Sequence, residues 1–220
     1  MCGRFIQAES GRALAEQLGL PLPADYAPRY NVAPNQAVLA LRAADSGDRE
    51  WVWLRWGLVP AWSKEPRSKY STINARAETV ADKPAYRQAF RRRRCLIPAD
   101  GFYEWRQTES RKQPYCIALA DGSACAFAGL WERWERDGEA VESCTIMVTR
   151  ANERIAEIHD RMPVILDRES YEDWLDPSVR DPARVSPLLR PYPAERVTLW
   201  PVGLAVNRPG NQGPELMAPV

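Results

Sequence analysis

The sequence predicts a single α+β domain, residues 1–220, with a mostly antiparallel β-sheet core and short flanking helices. Strand-like runs outnumber helical ones, and between Arg94 and Val148 they follow each other at hairpin spacing. Helical patterning is confined to short segments and never alternates with strand in the manner of a doubly wound sheet. The length of 220 residues suits one domain with a sizeable core, and no internal repeat or long linker divides it.

Each element follows from local pattern. Ser10 to Leu20 sets Leu14, Ala15 and Leu18 on one helical side, with Gly19 and Pro21 to end it. Pro21 to Pro34, rich in Pro and Tyr, reads as an ordered loop. Val38–Arg42 and Glu50–Trp56 read as strands separated by the polar turn Asp45-Ser46-Gly47-Asp48. Pro60 to Tyr70 reads as an irregular connection, and residues 74–81 and 84–92 as short helices. Strands follow at Cys95–Ile97, Gly101–Arg106, Tyr115–Leu119, Ala126–Glu132 and Ser143–Val148. The chain then predicts a helix over Asn152–Ile158, a strand at Val164–Leu166, a helix over Arg168–Leu175 and a last strand near Val197–Trp200. Pro182 to Pro193 reads as a flexible surface stretch.

Composition narrows the function. Thirty Lys and Arg against 29 Asp and Glu leave a net charge of +1, unlike a generally basic nucleic-acid coat protein, although a local basic groove fits within that sum. Hydrophobic residues at 45% and charged residues at 27% exclude wholesale disorder. No run reaches the about 18 apolar residues of a membrane span. The five cysteines, Cys2, Cys95, Cys116, Cys125 and Cys144, contain no CxxC pair and support neither a zinc site nor a disulfide framework. No metal and no cofactor are expected. The N-terminus has no charged and then apolar signal, so a cytosolic chain with reduced thiols is the simplest expectation. Cys95, Cys116, Cys125 and Cys144 are expected in the core.

A few residues could carry chemistry. Removal of Met1 would leave Cys2 with a free α-amine beside its thiol, with ordinary pKa values of roughly 8 and 8.5. A 1,2-aminothiol reacts with an aldehyde: the amine forms a Schiff base and the thiol closes a thiazolidine ring. Cys2 could equally start a buried strand. If residues 2–5 are strand, Arg4 lies beside Cys2, where a guanidinium can grip a phosphate. His159, the only histidine, precedes Asp160-Arg161-Met162-Pro163 and is expected at a helix C-terminus, where the dipole favours imidazolium. Glu104 sits in the aromatic strand Gly101-Phe102-Tyr103-Glu104-Trp105-Arg106, where apolar neighbours would raise its pKa and suit it to acid–base work, unless it faces water on an edge. Asn74 reads as a possible helix N-cap and Arg76 as a helical arginine. The run Arg91 to Arg94 reads as a solvated face. Pro34 and Trp62, in loops, could wedge against or stack on nucleic-acid bases.

Taken in order, the segments Met-Cys-Gly-Arg-Phe at 1–5, Arg29-Tyr30-Asn31-Val32-Ala33-Pro34, Trp56-Gly57-Leu58-Val59-Pro60 and Asn74-Ala75-Arg76-Ala77-Glu78-Thr79 form a recognisable series. It continues through Arg94 to Trp105, Phe127-Ala128-Gly129-Leu130-Trp131, His159-Asp160-Arg161-Met162-Pro163 and Asn211-Gln212-Gly213-Pro214-Glu215-Leu216. The chain resembles the SOS response-associated peptidase family, whose members crosslink covalently to abasic sites in single-stranded DNA. The resemblance implies a curved sheet core and makes Cys2 the nucleophile that closes a thiazolidine on the ring-opened sugar, shielding the lesion. Asn74 would position the Cys2 terminus and the sugar, Glu104 would shuttle protons, and His159 would assist and stabilise the linkage. Arg4, Arg76 and Arg161 would hold flanking phosphates, while Asn31, Pro34 and Trp62 would shape the DNA channel and a junction with duplex. After Trp62 the chain continues Ser63-Lys64, where some members carry a second Trp; that departure bears on junction binding, not on crosslinking.

A Schiff base also makes strand cleavage by β-elimination possible, and peptidase activity would be limited to removal of the segment before Cys2. The expected partner is abasic single-stranded DNA, with single-strand/duplex junctions, met by a monomer away from membranes in a bacterial cytoplasm. Two other readings remain: an N-terminal-nucleophile amidohydrolase such as a glutaminase, and a non-catalytic DNA-binding module.

Overall fold

The computed structural model describes residues 2–67 and 71–220. Met1, and with it the expected processing before Cys2, lies outside the described residues, as does the end of the Pro60–Tyr70 connection at 68–70. The chain begins with β1 (Phe5–Gln7), α1 (Ser10–Leu18), β2 (Arg29–Val32), β3 (Ala37–Ala43), β4 (Arg49–Trp56) and β5 (Asn74–Arg76). Next come α2 (Arg87–Arg92), β6 (Arg94–Ala99), β7 (Gly101–Gln107), β8 (Lys112–Leu119), β9 (Cys125–Arg136) and β10 (Glu139–Arg150). It ends with α3 (Glu153–Ala156), β11 (Arg161–Pro163), β12 (Ile165–Leu166), α4 (Tyr171–Leu175), α5 (Pro182–Val185) and β13 (Val197–Pro201).

Two sheets form. The first has the order β13-β8-β7-β1-β2, and the second runs β11-β10-β4-β3-β6-β9-β12 with β5 beside β10. Because β9 also pairs with β10, from Glu139↔Arg136 to Ile146↔Gly129, the strands β4, β3, β6, β9 and β10 close on themselves. Closure removes free edges from the centre of that sheet. Pairing is antiparallel as expected, except that β10 runs parallel to β4 and β5.

The period-two alternation of the strands divides the apolar residues into layers. Phe5, Phe102 and Ile117 from the first sheet meet Ala40, Trp56, Ile97, Phe127 and Ile146 from the second in the central core. The outward face of the second sheet is covered by Leu14, Phe90, Trp174 and Val185 from the helices. Behind the first sheet, Ile6, Tyr103 and Cys116 pack on Val202 and Val206 of the C-terminal segment. The sheets are tied by buried Gln7, whose amide donates to the Leu39 and Pro98 carbonyls and accepts from the Leu39 N–H. Cys95, Cys116, Cys125 and Cys144 are all buried and unpaired, as free cysteines in a core are.

Some sequence expectations need correction. The Pro21–Pro34 loop contains β2, because Val32 pairs with Phe5 and Arg29 with Gln7. Residues 74–81 are not a helix. Asn74, Ala75 and Arg76 pair in parallel with Ile146, Met147 and Val148, and this long-range ladder overrides local helical propensity. The 84–92 helix starts only at Arg87, and the 152–158 helix is the single turn of α3, capped by the Asn152 side chain. The stretch 182–193 is packed rather than loose: α5 and a 3-10 turn at Ser186–Leu188 bury Val185, Leu189 and Tyr192. The arginine run is not one solvated face. Arg91 and Arg92 are exposed, but Arg94 is buried, donates to the Phe90, Trp174 and Asp176 carbonyls and lies over the Trp174 ring.

Candidate active site beneath the N-terminal segment

The N-terminal segment is drawn into the molecule by its apolar residues. Phe5 pairs with Phe102 on β7 and Val32 on β2, and its ring meets Trp56 and Phe127 edge-on. Gly101 makes the close approach of β7 to β8 possible, since a Cβ there would sit 2.5 Å from the Ile117 carbonyl oxygen. Cys2, three residues before Phe5, is thereby carried into the central core with 0% exposure. Its thiol points to the Arg4 carbonyl at 4.0 Å.

The ordinary acidity expected for that thiol does not hold. Burial pushes the Cys2 pKa well up, and the nearby Glu104 carboxylate opposes its ionisation further. The strand expected over residues 2–5 begins only at Phe5, so alternation does not set Arg4 beside Cys2. Instead the Arg4 guanidinium turns to Asn31 Oδ1 at 2.8 Å and to the Val206 and Asn207 carbonyls at 2.8 and 3.3 Å.

Glu104 alternates with Tyr103 on β7, so the two point to opposite faces. Tyr103 joins the layer behind the sheet and donates its hydroxyl to the Tyr30 carbonyl. Glu104, 3% exposed, turns the other way, and burial raises its carboxyl from 4.5 to about 7. The expected upward shift of this carboxyl is therefore present.

His159 lies beyond α3 in the turn before β11, not at the end of a long helix. The expected shift toward imidazolium is reversed: burial lowers its pKa, although Asp160 works in the opposite direction. Nδ1 accepts the Arg161 backbone N–H at 3.0 Å, which assigns the proton of the neutral ring to Nε2. The Asp160 carboxylate, 2.9 Å from the same Nδ1, becomes an ion-pair partner only when the ring is protonated.

Asn74 is held by the β5 ladder and by the Tyr86 hydroxyl, which donates to its carbonyl at 3.2 Å. It stands opposite Ile146, a member of the core layer that contains Cys2, so the register turns its side chain toward that layer. Its Oδ1 is buried without a hydrogen-bond partner among the described residues. On the same ladder Arg76 stands opposite Val148, which also pairs with Pro163; two rungs further along, Arg150 pairs with Arg161. Arg76 is exposed, whereas the Arg161 guanidinium is engaged by Glu78.

The three loop residues fare differently. Asn31 is fully buried and donates to the Val206, Arg208 and Asn211 carbonyls, so it builds a wall and presents no side chain to solvent. Pro34 is half-buried. Trp62 is 69% exposed, and its indole N–H donates to the Pro84 carbonyl at 3.4 Å.

Glu104 and His159 line one cleft of about 490 Å³ together with Trp105, Lys112 and Asn207. Trp105 follows Glu104 on β7, and its indole donates to Asn207 Oδ1 at 2.8 Å. Adjacency to Glu104 could have singled out Trp105 in the sequence. Lys112 and Asn207 carry no local signal, because β8 and the C-terminal segment deliver them from elsewhere in the chain. Nor did the C-terminal Gln212 stand out for its role: its Oε1 accepts from the Tyr30 and Asn31 N–H groups and holds β2. Among the described residues no cluster of three His, Cys, Asp or Glu side chains could hold a metal, and no helix is long and apolar enough to cross a membrane.

A buried thiol, a carboxyl with a pKa near neutrality and the imidazole of His159 thus lie near the first residues of an α+β domain of two sheets. The chain belongs to the SOS response associated peptidase (SRAP) family, whose model matches residues 1–209. It is 42% identical over 222 residues to the abasic site processing protein YoqW of Bacillus subtilis, with 99% of each chain covered. It is 32% identical to the abasic site processing protein YedK of Escherichia coli, over the whole of both chains. The HMCES protein of Xenopus tropicalis, also an abasic site processing protein, is 34% identical across 89% of this chain and 67% of its own. A crystal structure of a Bacteroides thetaiotaomicron protein superposes with a TM-score of 0.88 at 27% identity, covering both chains completely. The family resemblance and the α+β architecture read from the sequence are both upheld.

Proposed function

We propose that this protein processes abasic sites by capturing them in single-stranded DNA as a covalent thiazolidine on Cys2. The observation that carries the reading is the juxtaposition of a buried Cys2 with Glu104, whose carboxyl changes protonation near neutrality, at a cleft shared with His159. An abasic nucleotide equilibrates with an open-chain aldehyde at C1′, and its missing base lets sugar and phosphate enter a narrow site.

The chemistry requires that Met1 be removed, so that Cys2 has a free α-amine. The amine adds to C1′, and protonated Glu104 gives its proton to the departing hydroxyl, which leaves as water and yields an iminium. The Glu104 carboxylate then accepts the Sγ proton as sulfur bonds to C1′, closing the ring and restoring the acid. One water is lost per crosslink. A thiol that burial keeps protonated thus ionises only when the base beside it has been generated by the preceding step. Until the ring closes, the iminium acidifies the C2′ proton and permits strand cleavage; ring closure suppresses it.

In this reading His159, neutral at Nδ1, relays protons at the sugar, and Asn74 uses its unengaged Oδ1 to orient the Cys2 amine. Arg76 and Arg161 bind flanking phosphates, and Arg4 joins them through the guanidinium edge that Asn31 and the 206–207 carbonyls leave over. Pro34 and Trp62 border the path of the strand, and Asn31 supports it from behind.

Intact-mass measurement after exposure to abasic single-stranded DNA tests this. The expected product has the mass of protein plus DNA less one water, and Cys2→Ala gives none. An adduct that persists in Cys2→Ala, or none with Met1-processed protein, overturns the reading. Glutamine hydrolysis without an adduct would instead indicate an amidohydrolase.

A further inference from the structure

Among the described residues that line the cleft, Glu104, Trp105, Lys112, His159 and Asn207, Lys112 is the one lysine or arginine. It opens β8 at the tip of the β7–β8 hairpin, opposite Gln107, and is exposed. The register sets it on the same hairpin face as Trp105, whose ring is anchored to Asn207. Of the other cations near the site, Arg4 is hydrogen-bonded to Asn31, Val206 and Asn207 and Arg161 to Glu78, while Arg76 is exposed on β5. Lys112 has no ion-pair partner among the described residues, although Glu109 lies on the same hairpin tip. The neighbouring Arg106 and Arg111 are exposed as well, so this tip is a basic arm beside the cleft mouth.

A polyanion approaching this cleft meets the acidic groups Glu104 and Asp160, and needs a compensating charge at the mouth. A lysine suits that task, because a compact ammonium on a flexible stem can follow a mobile single strand without demanding a fixed fork geometry. We infer that Lys112 is a further DNA-contacting residue, whose ammonium binds a backbone phosphate where the strand enters the cleft over Trp105. The inference rests on the proposed action on single-stranded DNA and adds to it a contact separate from Arg4, Arg76 and Arg161.

The test measures affinity for an undamaged single-stranded oligonucleotide across a salt series, alongside crosslinking to the same oligonucleotide with one abasic site. Lys112→Gln is expected to weaken binding about threefold to tenfold at low salt and to reduce the log–log salt slope by about 0.7, the share of one phosphate contact. Crosslinking by this variant should need correspondingly more DNA to reach half-maximal rate, and Lys112→Arg should restore most of the loss. A wild-type salt slope in Lys112→Gln overturns the inference. So does an equal loss of reactivity toward 2-deoxyribose, an aldehyde without phosphate, since that would place Lys112 in the chemistry. The proposed function fails by a separate signature: wild-type protein that forms no adduct on the abasic strand, whatever its salt slope.

Discussion

Two buried carboxylates in this protein sit on strands with nearly equal exposure, Glu104 at 3% and Glu132 at 5%, yet their surroundings differ in kind. Glu132 on β9 accepts from the Arg93 guanidinium at 2.7 Å and from the Arg133 N–H at 3.0 Å. Arg42 repeats that pattern nearby, bonded to Glu50 and Glu142 while lying 4.0 Å over the Trp131 ring. For Glu104 burial wins over the interactions that would lower it: its carboxyl is held near neutrality rather than in the usual carboxylate range. The same degree of burial thus leaves one carboxylate ion-paired and the other with a raised pKa.

The comparison can be broken most directly through pH. Because the folded-state pKa of Glu104 is raised from 4.5 to about 7, its contribution to stability is complete below about 4.5 and is lost as pH rises through 7. Glu104→Gln has no such loss. Relative to wild type it should therefore gain on the order of 3 kcal/mol between about pH 4 and pH 8, as read by urea unfolding at the two pH values. A constant difference would show that folding does not shift the Glu104 pKa.

The same substitution should slow crosslink formation by about 100-fold or more, the ordinary worth of a general acid–base group, and remove the inflection near neutrality from the rate profile. Glu132→Gln should do the reverse. It weakens a charge-assisted bond and leaves Arg93 less well paired, costing about 1–2 kcal/mol of stability with the pH profile of crosslinking intact. Should Glu132→Gln move that profile, the division between cohesive and proton-active carboxyls is wrong. The smallest effect belongs to Trp62→Ala. Being exposed, Trp62 should give no change in unfolding midpoint, and only about fivefold weaker binding to a single-strand/duplex junction, the worth of one modest stacking contact. Equal weakening on plain single strands would remove the junction role.

The proton-active region also differs from the ion-paired one in how its parts arrive. Arg93 and Glu132 come from two neighbouring strand regions, whereas the cleft draws on β7, β8, the turn after α3 and the C-terminal segment. The long strands β3, β4, β9 and β10 were legible because each carries a run of apolar, aromatic and β-branched residues of strand length. The short β2 and β5 were not, since three or four residues carry little periodic signal and their conformation is set by the partners they find in β1 and β10. Glu104 was legible as a candidate because its aromatic neighbours are adjacent in the chain. His159 was legible as a residue, but its electrostatics were not: α3 is one turn long, and burial lowers the pKa of the ring. Arg4 and Asn31 were legible as a pair of family positions, while their bonding to the 206–211 carbonyls was not.

By itself the sequence determined the α+β class, the family, and the residue types available for reaction, because alternation, turn residues and ordered motifs are local properties. Only the tertiary structure decided that the Cys2 thiol is sealed in the core, that Glu104 holds its proton near neutrality, and that Lys112 and Asn207 face the same cleft. Acidity depends on what surrounds a group in space, and a cleft is made of residues that the chain keeps far apart until the sheets close.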